Sequence, residues 1–343
     1  MAEQRATAAD GLPVVAEPGG PVLHEVSGVR DRPSLRSWLT EHRTAVRETL
    51  LVHGHLLLRG LPIEEQADFA LARDVLTERR AAHAREETTP RSDLGDGIFS
   101  ATDLPRQHTI GLHQEDSYSL LAPGLLLFAC LVPADTGGAT TLGDVRTVLD
   151  AVPAELMDRL RGQGWQITRT FSEHVGIGWQ QAFGTTDRES VERFCAENLI
   201  GCEWLPDGRL RTTGLRSATL HHPVTGAECW FNHIAVFNEH TYEPELREVL
   251  LDAGGADALP QNTFHGDGTP FDPEEIALLN RAFDAALIRV DWRPGDLLLV
   301  DNLLNAHGRE PFGGHRRVLV ALGDSFDVRD RRPTGPVGPR GLT

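Results

Sequence analysis

The longest apolar run in this chain is the strongest constraint on its fold. It has eight residues, from Leu125 to Val132, and it follows the turn-forming pair Pro123-Gly124. Eight residues are far too few to cross a bilayer as a helix, which takes about 20. A short apolar run that begins after a Pro-Gly turn is typical of a buried strand. The chain is therefore expected to build a sheet with a substantial apolar core.

Other segments also favour a fold made mainly of strands. Residues 297–301 and 318–322 repeat the short apolar pattern, and two hairpins are predicted with turns at 206–208 and 223–226. Helical spacing of apolar residues is found over 35–50 and again around Phe69, and Asp272-Pro273 can open a further helix. Short strands separated by a few helices predict a mainly β fold with helical cover (α+β), either a β-sandwich or a jelly roll.

Composition sets the expected domain limits. Residues 1–20 are small and polar with Gly and Pro, and residues 327–343 are rich in Arg, Pro and Gly, so we expect two disordered tails. The segment between them has no internal repeat. A chain of 343 residues with 40% hydrophobic content can bury a large core. We therefore predict one domain over residues 21–326.

Charge and cysteine usage exclude several kinds of partner. The chain has 33 Lys plus Arg against 50 Asp plus Glu, which gives a net charge of −17 at pH 7. Nucleic acids and anionic membranes both need basic surface, so neither is expected as a partner. The four cysteines form no C-x-x-C pair, and the N-terminus lacks the plan of a signal peptide. These features predict reduced thiols and a cytoplasmic protein, with the oligomeric state left open.

The pattern His113-x-Glu115 is the first sign of chemistry. Residues two apart on a strand have side chains on the same face. An imidazole and a carboxylate on one face supply two of the three protein ligands of a 2-His-1-carboxylate Fe(II) site, which leaves coordination positions open for substrates. The same pattern is common on solvated surfaces, so it needs a third ligand from a distant part of the chain.

His307 is the preferred third ligand among the 15 histidines. It follows a predicted buried strand that is interrupted by the polar pair Asp301-Asn302. Other histidines, at 221, 222 and 233, lie in the predicted hairpin strands and are expected to make local hydrogen bonds.

Arg317 begins the last predicted strand, a short distance after His307. A guanidinium can bind a carboxylate through two parallel hydrogen bonds, which is what a site for a dicarboxylate cosubstrate requires. The alternative role is a surface ion pair, which is the usual one for an Arg at the end of a strand.

These features occur in one order along the chain, together with several further motifs. The motifs are His113-x-Glu115, Gly137-Gly138-Ala139-Thr140, the runs 179–183, 203–208, 222–226, 264–268, 292–302 and 306–312, and Arg316-Arg317. Over residues 20–325 the set resembles the taurine dioxygenase (TauD/TfdA) family of Fe(II)/2-oxoglutarate oxygenases. More narrowly, it is similar to the branch that contains the syringomycin-type aspartyl hydroxylase. Ala139 departs from that branch, which usually has an acidic residue at this position.

The resemblance implies a fold and a set of ligands. The fold is a double-stranded β-helix, the clavaminate synthase-like jelly roll, and the Fe(II) ligands are His113, Glu115 and His307. The implied enzyme is a 2-oxoglutarate-dependent non-haem iron dioxygenase that consumes O2 and releases succinate and CO2. A halogenase of this type needs an open iron position for chloride, and Glu115 would fill it.

The resemblance also implies how the cosubstrate is bound. The distal carboxylate of 2-oxoglutarate is placed on Arg317, and Thr140 forms a hydrogen bond with the cosubstrate. Arg316 is the alternative if the register differs by one residue.

Substrate identity is constrained less closely. Members of the branch modify amino acids, so the resemblance implies hydroxylation of an unactivated C–H in an amino-acid-derived substrate, free or tethered to a peptidyl carrier protein, in natural-product (antibiotic) biosynthesis. An acidic carrier would need a local basic patch on this acidic chain. Residues predicted to line the substrate pocket are Trp179, Gln180, Asn232 and His233, and the arginines that could form the patch are Arg188, Arg193, Arg209, Arg211 and Arg216.

Three alternatives remain at this point. The same chemistry could end in desaturation or another oxidative outcome. A metalloenzyme could use the triad without 2-oxoglutarate, and Arg317 and Thr140 would then have no role. The chain could also be a non-catalytic sandwich that binds a small acid or a carrier. Succinate formation distinguishes the oxygenase from the last two.

Overall fold

The structure is a computed structural model that describes residues 12–81, 91–101, 103–173 and 175–339. None of the helices in these ranges has the length and apolar character needed to cross a membrane. The strands are β1 (Val15–Ala16), β2 (Val22–Glu25), β3 (His55–Arg59), β4 (Ile98–Ser100), β5 (Ile110–His113), β6 (Leu121–Ala122), β7 (Leu125–Val132), β8 (Thr136–Gly137), β9 (Thr140–Asp144), β10 (Trp165–Phe171), β11 (Ile200–Trp204), β12 (Leu210–Arg216), β13 (Thr219–His221), β14 (Glu228–Trp230), β15 (Gln261–His265), β16 (Leu287–Val290), β17 (Leu297–Asp301), β18 (Asn305–Arg309), β19 (Phe312–Gly313), β20 (Arg317–Gly323) and β21 (Phe326–Asp327). The helices are α1 (Arg32–His53), α2 (Gln66–Leu76), α3 (Val145–Ala151), α4 (Ala154–Gln163), α5 (Trp179–Phe183), α6 (Arg188–Glu197), α7 (Pro244–Gly254) and α8 (Pro273–Ala285), with 3-10 turns at Glu239–Thr241, Gly255–Ala258 and Val328–Arg331.

The apolar run found in the sequence is β7, a central strand of the largest sheet. That sheet has the order β1-β2-β3-β17-β7-β20-β4, and β7 pairs antiparallel with β17 and with β20. Leu125 and Leu127 pack into one apolar cluster, whereas Leu126 and Phe128 pack into another on the opposite face. Alternate side chains of a strand point to opposite faces, so β7 is apolar at nearly every position because both faces are covered.

Two helices cover the outer face of this sheet. Leu35 and Leu39 of α1 and Phe69 of α2 belong to the same apolar cluster as Leu125 and Leu127. The side chain of Asp31 caps α1 by accepting a hydrogen bond from the Ser34 N–H at 2.9 Å. This confirms the helix predicted over 35–50 and lengthens it at both ends.

A smaller sheet faces the other side of β7. Its order is β16-β9-β18-β5. Leu142 of β9 and Val290 of β16 pack against Leu126 and Phe128 of β7. Two facing sheets with helices outside form the jelly roll, or double-stranded β-helix, that was predicted, in a mixed α+β chain.

The chain between β9 and β16 forms a third, antiparallel sheet with the order β11-β12-β10-β15. Trp165 and Ile167 of β10 share an apolar core with Tyr118, which follows the His113-x-Glu115 pattern, and with Phe231. This packing brings a distant hairpin region beside the loop that carries Glu115.

The two predicted tails differ from the structure where it describes them. Residues 1–11 and 340–343 lie outside the described residues. Strand β1 lies within the first predicted tail and pairs with β2, which follows that tail. After Asp327 the chain packs on the third sheet, where the main chains of Leu215 and Gly338 exchange hydrogen bonds of 3.2 and 3.1 Å. The composition of residues 328–339 predicted disorder. It did not reveal the observed packing, because the main-chain partner, Leu215, is distant in sequence.

Candidate metal centre

β5 and β18 are neighbours in the smaller sheet and bring His113 and His307 together. The two residues are directly opposed in the antiparallel register, and their ring centroids are 4.4 Å apart. Gly308 allows this approach, because a Cβ there would lie 2.4 Å from the Ile110 carbonyl oxygen and 2.7 Å from Thr141 Oγ1. The strands could not come this close with a larger residue at position 308.

Glu115 follows β5, and its carboxylate completes a cluster of three donors. Its Oε2 lies 3.4 Å from His307 Nε2 and 3.9 Å from His113 Nε2. One donor atom from each of the three residues lies within 4.8 Å of the other two. The arrangement is compact enough to hold a single metal ion. It brings together the three residues that the sequence singled out.

A main-chain hydrogen bond fixes the proton position of His113. Its Nδ1 lies 2.9 Å from the Gly111 carbonyl oxygen, which can only accept, so Nδ1 carries the proton and Nε2 presents a lone pair. Burial, with a further contribution from His307, lowers the pKa of His113 to about 4. His113 is therefore neutral at pH 7, which is the form that binds metals.

Arg91 is a functional residue that the sequence did not reveal. Its guanidinium lies 3.0 Å from both carboxylate oxygens of Glu115. Burial opposes ionisation of Glu115, but Arg91 and His307 outweigh it and hold the pKa of that carboxyl well below its usual range. The carboxylate is thus charged and oriented. Arg91 comes from a loop without periodicity, so no local pattern pointed to it.

The cavity beside the two histidines extends to the buried side chain of Arg309. Arg309 lies two residues after His307 in β18, and its guanidinium donates 3.0 Å hydrogen bonds to the carbonyls of Pro105 and His108. These acceptors are neutral, and no carboxylate among the described residues forms an ion pair with Arg309. The two-residue spacing from His307 was the signal in the sequence that could have identified Arg309.

Arg316 lines the same cavity, and Arg317 does not, as far as the described residues define it. The Nε of Arg316 donates to the Gly138 carbonyl at 3.0 Å, whereas Arg317 is exposed. Arg316 lies just before β20, and the pairing of β20 with β7 is irregular between Arg317 and Val318. The cavity lining thus favours Arg316, the alternative one residue earlier, over Arg317 as the candidate partner of a cosubstrate carboxylate.

Thr140 lines the cavity as expected. It opens β9, is almost fully buried, and its Oγ1 accepts a 3.1 Å hydrogen bond from Trp292 Nε1. Its hydroxyl hydrogen can still be donated to another acceptor. Phe128 of β7 forms an apolar wall, with its ring centroid 5.5 Å from that of His307.

Of the four residues predicted to line a substrate pocket, His233 lies beside the cluster. Its ring centroid is 5.5 Å from that of His113, and its Nδ1 lies 2.5 Å from the Ser117 hydroxyl. Burial, followed by the proximity of His113, lowers the pKa of His233 well below its usual value. His233 is a neutral imidazole with one nitrogen bonded to Ser117.

The other three are placed elsewhere. Trp179 packs against Trp204 in a separate apolar cluster, with ring centroids 5.1 Å apart, and Gln180 follows it in α5. The side chain of Asn232 is bonded to main chain on both sides, with Nδ2 donating to the Ala218 carbonyl at 2.9 Å and Oδ1 accepting from the Ile234 N–H at 3.0 Å. Within the described ranges, none of the three lines the cavity around His113 and His307.

The predicted basic patch does not form. Arg216 is buried and donates to main-chain carbonyls, including that of Tyr118 at 2.8 Å. Arg188 stacks over the Trp204 ring. The remaining arginines are balanced by neighbouring carboxylates: Arg193 by Asp187, Arg209 by Asp207, and Arg211 by Glu203 and Asp257.

Known proteins resemble this chain over most of its length. The model of the taurine catabolism dioxygenase TauD, TfdA family matches residues 21–322. The dapdiamide synthesis protein DdaC of Enterobacter agglomerans is 34% identical over 306 residues, which is 89% of this chain and 92% of that protein.

Solved structures share the fold. PvcB from Pseudomonas aeruginosa superposes with a TM-score of 0.52 at 17% identity over 94% of each chain. An asparagine oxygenase in complex with Fe(II), 2S,3S-3-hydroxyasparagine and succinate gives a TM-score of 0.53 at 14% identity, over 85% of this chain and 82% of that chain. From the family match and the identity to DdaC, we conclude that the chain belongs to the taurine catabolism dioxygenase TauD, TfdA family and is a dioxygenase that uses Fe(II), 2-oxoglutarate and O2.

Proposed function

We propose that the protein hydroxylates an unactivated C–H bond of an amino-acid-derived substrate in natural-product biosynthesis and releases succinate and CO2. The main support is that one cavity joins His113 and His307 to the buried Arg309 and the partly buried Arg316. A metal site beside a site for a carboxylate is what a reaction coupled to 2-oxoglutarate requires. The similarity to a protein of dapdiamide synthesis supports a biosynthetic role.

In this proposal His113, Glu115 and His307 hold the iron. Two imidazoles and one carboxylate suit Fe(II) and leave positions open for other ligands. Bound iron and 2-oxoglutarate together supply the activation of O2 on which hydroxylation depends. The Gly111 carbonyl keeps His113 in the tautomer that binds metal, and Arg91 holds the Glu115 carboxylate in its ionised form.

Arg316 is proposed to bind the distal carboxylate of 2-oxoglutarate. Burial, with a contribution from Arg309, lowers the pKa of Arg316 to about 10, so its guanidinium stays charged at pH 7. A buried charge needs a counter-charge, and a carboxylate that makes two hydrogen bonds with Arg316 would supply it. Thr140 can donate its hydroxyl hydrogen to the same cosubstrate.

His233 is proposed to contact the substrate. It lies beside His113, and its Nδ1 is engaged by Ser117, so Nε2 is the atom left to meet a polar group of the substrate. Since the imidazole is neutral, this contact would be a hydrogen bond and not an ion pair.

The test is a panel of free and carrier-tethered amino acids, incubated with Fe(II), 2-oxoglutarate and O2 and analysed by mass. We expect one product that gains a single oxygen atom, with succinate formed in equal amount. A product that loses two hydrogens and gains no oxygen would favour desaturation. Complete absence of succinate would reject this proposal in favour of a non-catalytic binding protein.

A further inference from the structure

Asn302 lies in the turn between β17 and β18 and is fully buried. Its Oδ1 accepts a 2.8 Å hydrogen bond from the Glu115 N–H. Its Nδ2 donates to the Glu115 carbonyl at 2.9 Å and to the Pro123 carbonyl at 2.8 Å. The amide therefore binds both main-chain groups of Glu115 and uses both of its own N–H groups.

The residue before Glu115 adds a further link to the same turn. Gln114 Nε2 donates to the main-chain carbonyl of Asn302 at 2.9 Å. Gln114 and Asn302 are 1% and 0% exposed, so water does not compete for these hydrogen bonds. A buried polar group that loses its partner costs about 1–3 kcal/mol. The loop that carries Glu115 is thus held firmly to the turn.

Asp301 fixes the other half of this turn. Its Oδ1 accepts from the Leu303 N–H at 2.9 Å, and its Oδ2 lies 3.1 Å from His222 Nε2. His222 Nδ1 accepts from the Thr225 N–H at 3.1 Å, so its proton is on Nε2 and is donated to Asp301. The turn therefore enters β18, which carries His307, in a defined direction.

Glu115 needs support of this kind because it lies outside the strand ladder. His113 and His307 are placed by the pairing of β5 with β18, but β5 ends at His113. The next residue after Glu115, Asp116, has a φ of 54°, in the left-handed region that does not belong to a strand. The place of the carboxylate relative to the two imidazoles is therefore set by contacts other than the ladder.

We propose that Asn302 is a positioning residue that sets the place of the Glu115 carboxylate relative to His113 and His307. Asn302 acts through the main chain of Glu115 and touches neither the metal nor the substrate. The inference rests on the proposed role of the three residues as iron ligands. Removing a residue that orients a metal ligand typically weakens metal binding by about 10–100-fold.

The experiment compares Asn302→Ala with Asn305→Ala. Asn305 is also fully buried, but its Nδ2 donates to the His53 carbonyl at 3.4 Å and not to Glu115. The measurements are urea unfolding, the anaerobic dissociation constant for Fe(II), and the visible spectrum of the Co(II)-loaded protein, all without 2-oxoglutarate. We expect both variants to lose stability. We expect Asn302→Ala alone to bind Fe(II) about 10–100-fold more weakly and to show an altered Co(II) spectrum.

A second variant covers the case in which Asn302→Ala fails to fold. Asn302→Asp has the same size and keeps an acceptor for the Glu115 N–H, but it replaces the donor nitrogen with oxygen, so weaker Fe(II) binding is again expected. Fe(II) affinity equal to that of Asn305→Ala, within about twofold, would overturn the positioning role. Wild-type protein that binds no metal would instead reject the proposed function, which keeps the two failures distinguishable.

Discussion

His307 lies directly opposite His113 in the antiparallel pair formed by β18 and β5, with the two rings 4.4 Å apart. One pairing register therefore places two of the three donors of the metal centre. This register depends on the absence of a side chain at Gly308, which lies against the Ile110 carbonyl oxygen.

Gly308→Ala should separate β18 from β5. The new Cβ would meet main-chain oxygen at 2.4 Å, so the strands must move apart. We expect a loss of about 1–3 kcal/mol in the free energy of unfolding and weaker metal binding, measured by urea unfolding and metal titration. Gly162→Ala is the control, because nothing lies within 4 Å of its Cβ and it is helical, and it should stabilise by roughly 0.5–1 kcal/mol. Equal effects of the two changes would contradict the role of Gly308.

His307→Ala should abolish stoichiometric iron binding, because it removes one of three donors. His221→Ala is a suitable control, since His221 Nδ1 meets the Arg332 carbonyl at 2.8 Å and His221 lies outside the cluster. Iron content after anaerobic loading measures both. Full iron content with intact activity in His307→Ala would remove His307 from the site.

Arg316→Ala should raise the 2-oxoglutarate concentration needed for half-maximal succinate formation. A buried carboxylate would lose its charged partner, at a cost of about 2–5 kcal/mol. Arg317→Ala should leave this requirement nearly unchanged, because Arg317 is exposed. The reverse result, with Arg317→Ala as the impaired variant, would restore the assignment first made from the sequence.

The wild-type product should carry one oxygen atom from O2 even at high chloride concentration. In the proposed site Glu115 would fill the position that a halide needs, and Arg91 helps to keep its carboxylate ionised. The measurement is product mass after reaction under labelled O2 in concentrated chloride. Glu115→Ala should abolish hydroxylation. A chlorinated product from the wild type would contradict the hydroxylase proposal but would not affect the assignment of fold and family.

His55 should make the protein less stable in acid. Burial, then the nearby His53, lowers its folded pKa from 6.5 to about 4, and its Nε2 accepts a 3.1 Å hydrogen bond from the Val22 N–H. Because the folded pKa lies below the unfolded one, the stabilising contribution is full above pH 6.5 and is lost as the pH falls towards 4.

His55→Gln stays neutral and provides the comparison. Between pH 7.5 and 4.5 the wild type should lose about 2–3 kcal/mol more free energy of unfolding than this variant, as measured by urea unfolding. Parallel losses in the two proteins would contradict the role of His55.

The sequence by itself determined the features that depend on local spacing. The apolar run at 125–132 predicted a buried strand, because a strand covered on both faces needs apolar residues at nearly every position. The His113-x-Glu115 spacing placed two candidate donors on one face, and the buried strand before His307 favoured it as the third, a choice that the resemblance also implied. The patterns left a β-sandwich or a jelly roll open, and the family resemblance implied the jelly roll and the Fe(II)/2-oxoglutarate chemistry, which the family match confirms.

Tertiary structure decided which distant groups meet at the site. Arg316 lines the cavity and Arg317 is exposed, and strand alternation could not predict this choice because the pairing of β20 with β7 is irregular between Arg317 and Val318. Arg91 reaches Glu115 from a loop without periodicity, and Asn302 from a polar break after a buried strand whose spacing did not indicate Glu115 as its partner. Packing between distant parts of the chain decides which group becomes the partner of a buried charge or amide. Local periodicity in the sequence therefore cannot predict that partner.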